Sequence, residues 1–103
     1  MSYILQYSPT AKSDFVRIYY EVFQTSLDNN MTKQYVKELV QKIKDKVDFP
    51  ESGTPLNFNN IFTGYRYVIY KSYIAFYTID GNNMKVNRIL YAKSDYLKIL
   101  HIK

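Results

Sequence analysis

The chain has 103 residues, which is enough for one domain with one modest core that folds without staples. It contains no cysteine, which excludes a disulfide framework, a thiolate zinc site and a cysteine nucleophile. Fourteen Lys and Arg against nine Asp and Glu give a net charge of +5, which favours nucleic acid, an acidic protein segment or another anionic surface as partner, although a solvated lysine-rich surface has the same composition.

The beginning of the chain predicts a short strand followed by a long helix. Tyr3 to Tyr7 alternates in the manner of a strand. Ser8 is the expected N-cap and Pro9 the first helical residue, because a serine oxygen accepts from an orphan amide and proline needs no donor there. The helix is expected to reach about Ser26. Its buried stripe is Ala11, Phe15, Ile18, Tyr19 and Val22.

A second helix is expected after a break at Asp28-Asn29-Asn30. Thr32 is the predicted cap, and the helix is expected to end near Asp48. Its apolar face is Tyr35, Val36, Leu39, Val40, Ile43 and Val47. Two antiparallel helices with a short connection form a hairpin whose apolar stripe must be buried, and a sheet is the only candidate partner.

The second half of the chain predicts an antiparallel sheet. Phe49 to Pro55 ends the second helix, because proline cannot continue it and glycine allows a reversal. Residues 56–63 are expected to form a loop that carries at most a short strand. Three runs rich in aromatic and β-branched residues follow, and Asp80-Gly81-Asn82-Asn83 joins the last two as a hairpin turn. Asp95 to Ile102 is expected to form a short terminal helix capped by Ser94.

We therefore expect one α+β domain over residues 1–103, with an N-terminal strand, a helical hairpin packed on a small, mostly antiparallel sheet that ends in a three-stranded meander, and a short C-terminal helix. Met1 to Tyr7 lacks the basic segment and long apolar run of a secretion signal, and no later run reaches the roughly 18 apolar residues of a membrane span. We expect a soluble, cytoplasmic protein without contact to a membrane.

Four groups of residues carry a family resemblance through their order and spacing. They are Tyr7-Ser8-Pro9-Thr10-Ala11-Lys12-Ser13-Asp14-Phe15 with Ile18-Tyr19-Tyr20, Phe49-Pro50-Glu51-Ser52-Gly53, Tyr65-Arg66 with Tyr73-Ile74-Ala75-Phe76-Tyr77, and Val86-Asn87-Arg88-Ile89-Leu90-Tyr91-Ala92-Lys93-Ser94-Asp95. Together they resemble the RelE/ParE superfamily of type II toxin-antitoxin toxins, over essentially the whole chain. The resemblance implies a growth-arresting toxin of a plasmid stabilisation system and a small cognate antitoxin that neutralises it.

The resemblance leaves two kinds of target open. RelE-like members cut mRNA on the ribosome, whereas ParE-like members inhibit DNA gyrase without known catalysis. RNA-cutting relatives commonly have an arginine at the position of Ile74, and basic, tyrosine or histidine side chains at the positions of Ser94, Ile99 and Leu100. ParE-like members often have histidine at the position of Tyr91, so the chain departs from that pattern as well. The residues are nearer to the ParE-like branch.

The candidate site residues are the cations and the tyrosine that this chain has in the regions where the family places its functional residues. Metal-free RNA cleavage needs a base, an acid and a cation at one phosphate. A nuclease would use Arg66, Arg88 and Tyr91, whereas target binding would use Arg66, Arg88 and Lys93. We expect neither a metal site nor a cofactor. The partners are the antitoxin and either gyrase or the ribosome with mRNA, and a third possibility is a detoxified binding module of the same fold.

Each candidate also has a structural interpretation. Arg66 could pack on tyrosine rings or pair with Asp95, and the alternation around Arg88 favours a partly buried, paired arginine. Tyr91 shares a strand face with Ile89 and is expected in the core. It is not expected to act as a general base, because a tyrosine pKa near 10 is poorly matched to base catalysis at neutral pH. A stacking platform for single-stranded bases is a further hypothesis. Its members would be Tyr65, Tyr67, Tyr73 and Tyr77.

Overall fold

In the computed structural model, which describes residues 3–103, a helical hairpin packs on one face of a five-stranded sheet. The elements are β1 (Ile4–Tyr7), α1 (Pro9–Ser26), α2 (Asn29–Lys44), a 3₁₀ turn (Pro50–Ser52), β2 (Thr54–Phe58), β3 (Ile61–Tyr70), β4 (Tyr73–Asp80), β5 (Asn83–Tyr91) and α3 (Tyr96–Ile99). The strand order is β1-β5-β4-β3-β2, and only the β1–β5 pair is parallel. The predicted α+β architecture is confirmed. No helix in residues 3–103 is long and apolar enough to cross a membrane.

The start of α1 is fixed by Ser8, as predicted. The Ser8 hydroxyl oxygen accepts a hydrogen bond from the Ala11 amide at 3.0 Å and donates to the Asn87 carbonyl at 2.8 Å. The cap therefore also ties the helix to β5. The helix ends at Leu27, whose φ of 54° places it in the left-handed region.

The predicted cap of α2 was wrong, because the helix begins one turn earlier. Asp28 is the N-cap, and its Oδ1 accepts from the amides of Asn30 at 2.8 Å and Met31 at 3.1 Å. One carboxylate thus satisfies two orphan amides, which extends the helix back over the asparagines. Thr32 is buried inside the helix and donates its hydroxyl to the Asp28 carbonyl.

The end of α2 also differs from the expectation. The helix ends at Lys44, and residues 45–48 form turns. The amides of Lys46 and Val47 bond to carbonyls three residues back rather than four, so the chain tightens before Pro50. Pro50, which cannot continue a helix, follows these turns.

Residues 56–63, expected as a loop, are instead part of a β-hairpin. Asn59 and Asn60 connect β2 and β3, with φ values of 52° and 63°. Positive φ at both central residues is what a two-residue type I′ turn requires, and asparagine tolerates it better than most residues. Phe58 and Ile61 pair directly on either side of the turn. The sheet therefore gains an extra edge strand.

The two faces of β4 carry two separate cores. Tyr73, Ala75 and Tyr77 face the helices, whereas Ile74 and Phe76 face the C-terminal segment. The helix-side core also contains Ala11, Ile18, Leu39, Ile43, Tyr70, Met84, Val86 and Ile89. The opposite core contains Leu56, Leu90 and Leu100, with Tyr65, Tyr67 and Tyr96 packed against it. The stacking-platform hypothesis was wrong, because its four tyrosines are divided between the two faces.

The C-terminal helix is shorter than expected, and its predicted cap was wrong. It spans Tyr96–Ile99, and Asp95 occupies the N-cap position without a side-chain cap bond. The Ser94 hydroxyl instead donates to the Tyr91 carbonyl at 2.6 Å. Asp95 forms an ion pair with Lys103, 3.0 Å between Oδ1 and Nζ. This pair closes the C-terminal segment over the second core.

Candidate functional site

Arg66 binds the turn that follows α2. Its Nη1 donates to the carbonyls of Glu51 at 3.1 Å and Gly53 at 3.2 Å, and its guanidinium carbon lies 5.1 Å from the centroid of the Phe62 ring. The pairing with Asp95 that the sequence suggested was therefore wrong, because backbone carbonyls and one ring take that role. Two of the five N–H donors of Arg66 are thus used within the chain.

Arg88 is a partly buried, paired arginine, as expected, and its partner is Asp14 of α1. The Arg88 Nε lies 2.9 Å from Asp14 Oδ2, and Nη2 lies 3.2 Å from Oδ1. The Asp14 side chain is only 5% exposed and that of Arg88 is 28% exposed. Two parallel N–H···O bonds to one carboxylate fix the plane of the guanidinium. Only the exposed part of the Arg88 side chain is available to a binding partner.

Side chains of α1 replace a missing strand beside the second half of β5. β1 ends at Tyr7, which pairs with Val86, so β5 has no strand neighbour on that side from residue 87 onward. Asp14 Oδ2 accepts from the Ile89 amide at 2.8 Å, and Arg17 Nη2 donates to the Ile89 carbonyl at 2.7 Å. Together with the Ser8 bond to this strand, these contacts satisfy backbone groups that would otherwise be unpaired.

Asp14 was missed by the sequence reasoning, although a signal was present. Asp14 lies three residues after Ala11 and four before Ile18, which places its carboxylate in the buried stripe of α1. A charge in such a stripe needs a partner, because an unpaired buried carboxylate is costly. The partner lies far along the chain, and only the tertiary fold identifies it.

The strand register separates Arg66 from Arg88. Arg66 pairs with Tyr77, and Arg88 pairs with Phe76, the preceding residue of β4. Directly opposed residues share a face of the sheet and successive residues alternate, so the two arginine side chains leave the sheet on opposite faces. A bulge in β5 at Asn87 causes this arrangement, since Tyr77 opposes Val86 while Phe76 opposes Arg88.

Tyr91 and Lys93 lie at the end of β5. Tyr91 pairs with Tyr73 on the helix side of the sheet, is 43% exposed, and packs edge-on against Tyr73 with 6.0 Å between ring centroids. The predicted core position of Tyr91 was therefore wrong, because its ring packs on Tyr73 at the exposed end of the sheet. Lys93 is exposed in the turn after β5 and forms no ion pair with any residue from 3 to 103.

An open cavity of about 610 Å³ adjoins Tyr91 at the end of the helical hairpin. Glu21 lies in its wall, where its Oε1 accepts from the Tyr73 hydroxyl at 2.7 Å and from Arg17 Nη1 at 3.1 Å. Burial and the hydrogen bond to the Glu21 carboxylate raise the pKa of Tyr73, so this phenol stays protonated as a donor. Glu21 was not among the residues that the sequence singled out.

A second tyrosine–carboxylate pair lies beside this cavity. The Tyr70 hydroxyl donates to Glu38 Oε2. Burial, and to a smaller extent this hydrogen bond, raise the pKa of Tyr70 to about 12. The same bond lowers the pKa of Glu38. Lys71 places its Nζ 5.3 Å from the ring centroids of both Tyr35 and Tyr70.

Residues 3–103 contain no group of three or more His, Cys, Asp or Glu side chains that could hold a metal ion. Tyr91 is the one phenol among the candidate catalytic residues, and His101, the single histidine of the chain, lies near the C-terminus with a φ of 61°. The arrangement presents cations fixed on a sheet and an aromatic cavity. These are features of a binding surface.

Comparison with known proteins gives a family match over most of the chain. Residues 5–96 match the model of the ParE toxin of the type II toxin-antitoxin system parDE. The chain is similar in structure to a chain of the chromosomal ParDE toxin-antitoxin system from P. aeruginosa, with 16% identity, 89% of this chain and 98% of the other covered, and a TM-score of 0.74. It is also similar to a chain of the toxin-antitoxin complex RelBE2 from Mycobacterium tuberculosis, with 17% identity, coverage of 90% and 95%, and a TM-score of 0.62. No curated protein matches in sequence.

Proposed function

Because this chain belongs to the ParE toxin family of type II toxin-antitoxin systems, we propose that it arrests growth by binding and inhibiting DNA gyrase, and that a cognate antitoxin neutralises it. The antitoxin partner is supported by two structural neighbours whose names describe toxin-antitoxin assemblies. Gyrase as the target is the expectation that follows from the ParE-like residues.

The observation that carries the proposal is that the candidate catalytic residues do not meet. Cleavage of RNA without a metal requires a base, an acid and a cation within hydrogen-bond reach of one phosphate. Arg66 and Arg88 leave the sheet on opposite faces, and Tyr91 is paired with Tyr73 on the helix side. Both arginines are also held by other parts of the chain. This separation favours a protein that binds its target over one that cuts RNA.

The proposed contact surface lies at the end of β5. Lys93 is exposed there, and the side chain of Arg88 is 28% exposed beside its pair with Asp14. Arg66 lies two strands away on the opposite face of the sheet and is a separate proposed contact, through the part of its side chain that the turn leaves uncovered. Cations held in fixed orientations suit an acidic protein surface, because little side-chain entropy is lost on binding.

The test is pulse labelling of DNA, RNA and protein synthesis in cells after induced expression. Gyrase inhibition predicts that DNA synthesis falls first, and that Lys93→Ala weakens the arrest. Lys12→Ala removes an equally exposed charge from α1 and is the matched control. Protein synthesis falling first would contradict the gyrase proposal and favour an mRNA endonuclease. No fall in any synthesis at full expression would favour a detoxified binding module.

A further inference from the structure

The cavity beside Tyr91 is lined by residues other than the proposed target contacts. It lies between the C-terminal half of α1, the N-terminal half of α2, and the ends of β4 and β5, and it encloses about 610 Å³. Its lining residues are Glu21, Val22, Thr25, Ser26, Met31, Tyr35, Ser72, Tyr73 and Tyr91. Neither Arg66, Arg88 nor Lys93 belongs to this lining.

The charged group of this lining is a carboxylate, and Arg17 already compensates part of its charge. The chain has a net charge of +5, yet Glu21 is the one formally charged residue among the lining residues. The Glu21 side chain is 45% exposed, and Oε1 takes both of its shorter bonds, from Tyr73 and Arg17. A carboxylate offers about four lone-pair directions, so Oε2, whose contact with Arg17 Nη1 is 3.3 Å, can accept from a further donor.

Three tyrosine rings pack edge-on in a row beside Glu21. Tyr35 and Tyr73 meet at 84° with 6.2 Å between centroids, and Tyr73 and Tyr91 meet at 72° with 6.0 Å between centroids. Tyr73 is 5% exposed, so Tyr91, which is 43% exposed, is the ring of that pair open to a ligand in the cavity. Lys71 lies 5.3 Å from the ring centroids of Tyr35 and Tyr70, which is a cation–π contact of the same kind within the chain. Rings and a carboxylate together are the chemistry that recognises an organic cation.

We propose that this cavity is a binding site for an arginine side chain of the antitoxin. The identification of the antitoxin as the source of the arginine rests on the proposed function, whereas the preference of the site for a cation rests on the residues of the cavity alone. Arginine is favoured over lysine because its guanidinium is planar, is weakly hydrated, stacks on aromatic faces and can donate two bonds to one carboxylate. The antitoxin would then place one basic residue beside the Glu21 carboxylate and the Tyr91 ring of the toxin.

The first test uses a small probe on the purified chain. Nα-acetyl-arginine amide is titrated into protein with labelled tyrosine rings and methionine methyl groups, and Nα-acetyl-citrulline amide, which is uncharged and has nearly the same shape, is the matched probe. We expect the arginine probe to shift the ring signals of Tyr35, Tyr73 and Tyr91 and to bind about fivefold or more tightly than the citrulline probe. Equal affinities, or shifts confined to residues outside the cavity, would overturn the assignment.

Variants of the chain distinguish the effect of the Glu21 charge on binding from effects on folding. Glu21→Gln is expected to reduce binding of the arginine probe to the level of the citrulline probe. Tyr91→Leu removes one aromatic wall of the cavity and leaves Glu21 in place. It is expected to weaken binding of the arginine probe while the protein stays folded. Asp80→Asn removes one exposed negative charge from the β4–β5 turn and is the control that should bind as the unmodified chain does. A Glu21→Gln protein that keeps the preference for arginine would contradict the proposal.

The occupant is tested in the complex with the antitoxin encoded beside the toxin gene. Binding of the antitoxin should move the same three ring signals, and Glu21→Gln should raise the dissociation constant of the complex about fivefold or more. Unchanged ring signals on antitoxin binding, or an unchanged dissociation constant in Glu21→Gln, would overturn the assignment of the antitoxin as occupant. Gyrase inhibition is measured without antitoxin, so failure of the cavity assignment and failure of the proposed function are distinguishable.

Discussion

Asp14 and Arg88 lie 74 positions apart in the chain and form an ion pair with 2.9 Å between Oδ2 and Nε. The same carboxylate accepts from the Ile89 amide, so one buried side chain holds both the guanidinium and the backbone of β5. This relationship couples the stability of the fold to the orientation of a proposed target contact. Changes at Arg88 therefore need a stability measurement beside every measurement of function.

Asp14→Ala is expected to lower the free energy of unfolding by about 2–4 kcal/mol, because it leaves the Ile89 amide unpaired and the Arg88 charge uncompensated. Asp14→Asn should cost less, since an amide oxygen can still accept from Ile89. Urea unfolding followed by circular dichroism measures both. Asp48→Ala, at an exposed carboxylate after α2, is the control and should stay within about 0.5 kcal/mol. An Asp14→Ala protein as stable as this control would contradict the structural role of the pair.

Gly53→Ala is expected to destabilise the turn after α2, because an added Cβ would lie 1.7 Å from the Tyr77 hydroxyl oxygen. That hydroxyl donates to the Pro50 carbonyl at 2.6 Å and lies in the core, so it cannot move aside freely. We expect a loss of about 1–3 kcal/mol, as for overpacked positions. In a Tyr77→Phe background the loss should be smaller, and thermal unfolding of the four proteins measures this coupling. Equal losses in both backgrounds would contradict the close approach.

Ser8→Ala is expected to cost more than Asp28→Ala. Removing an N-cap typically costs about 1 kcal/mol. Asp28 only caps α2, whereas the Ser8 hydroxyl also donates to the Asn87 carbonyl on β5. Its loss should therefore add the cost of an unpaired carbonyl, in total about 1.5–3 kcal/mol. Chemical denaturation of both variants gives the comparison, and a larger effect at Asp28 would show that the bond to β5 contributes little.

Stability is expected to fall as pH rises from about 10 to 12, partly through Tyr70. The pKa of Tyr70 in the folded state is raised to about 12, above its ordinary value of 10.0, so in this range the unfolded chain loses the tyrosine proton while the folded chain keeps it. The unfolded state then binds fewer protons, and the unfolding free energy decreases with pH. Tyr70→Phe should flatten this decrease. An unchanged slope in that variant would contradict the raised pKa.

Local signals in the sequence predicted much of the fold. The Ser8-Pro9 start, the two apolar helix faces and the position of the last hairpin turn are determined by nearest neighbours along the chain, and all are present in the structure. The turn was expected to be a four-residue loop from Asp80 to Asn83, which was wrong, because those two residues pair and only Gly81 and Asn82 connect the strands. The errors occurred where two local interpretations compete. Asp28 and Thr32 both favour caps, and Asn59-Asn60 is both a loop signal and a hairpin turn.

The candidate site was less accessible from the sequence, because it depends on register and on distant contacts. The β5 bulge decides on which face Arg88 lies, and alternation alone cannot reveal one extra residue. The pairing of Asp14 with Arg88, and the meeting of Glu21 with Tyr73 across 52 positions, require the helices to be packed on the sheet first. The spacing of Asp14 within the buried stripe was the one local clue.

The most direct measurement is the supercoiling activity of purified DNA gyrase with increasing amounts of this protein, alongside a translation reaction that reports mRNA cleavage. The proposal predicts that supercoiling is inhibited, that mRNA stays intact, and that Lys93→Ala weakens the inhibition while Lys12→Ala does not. Full supercoiling at saturating protein, with cleaved mRNA in the parallel reaction, would contradict it.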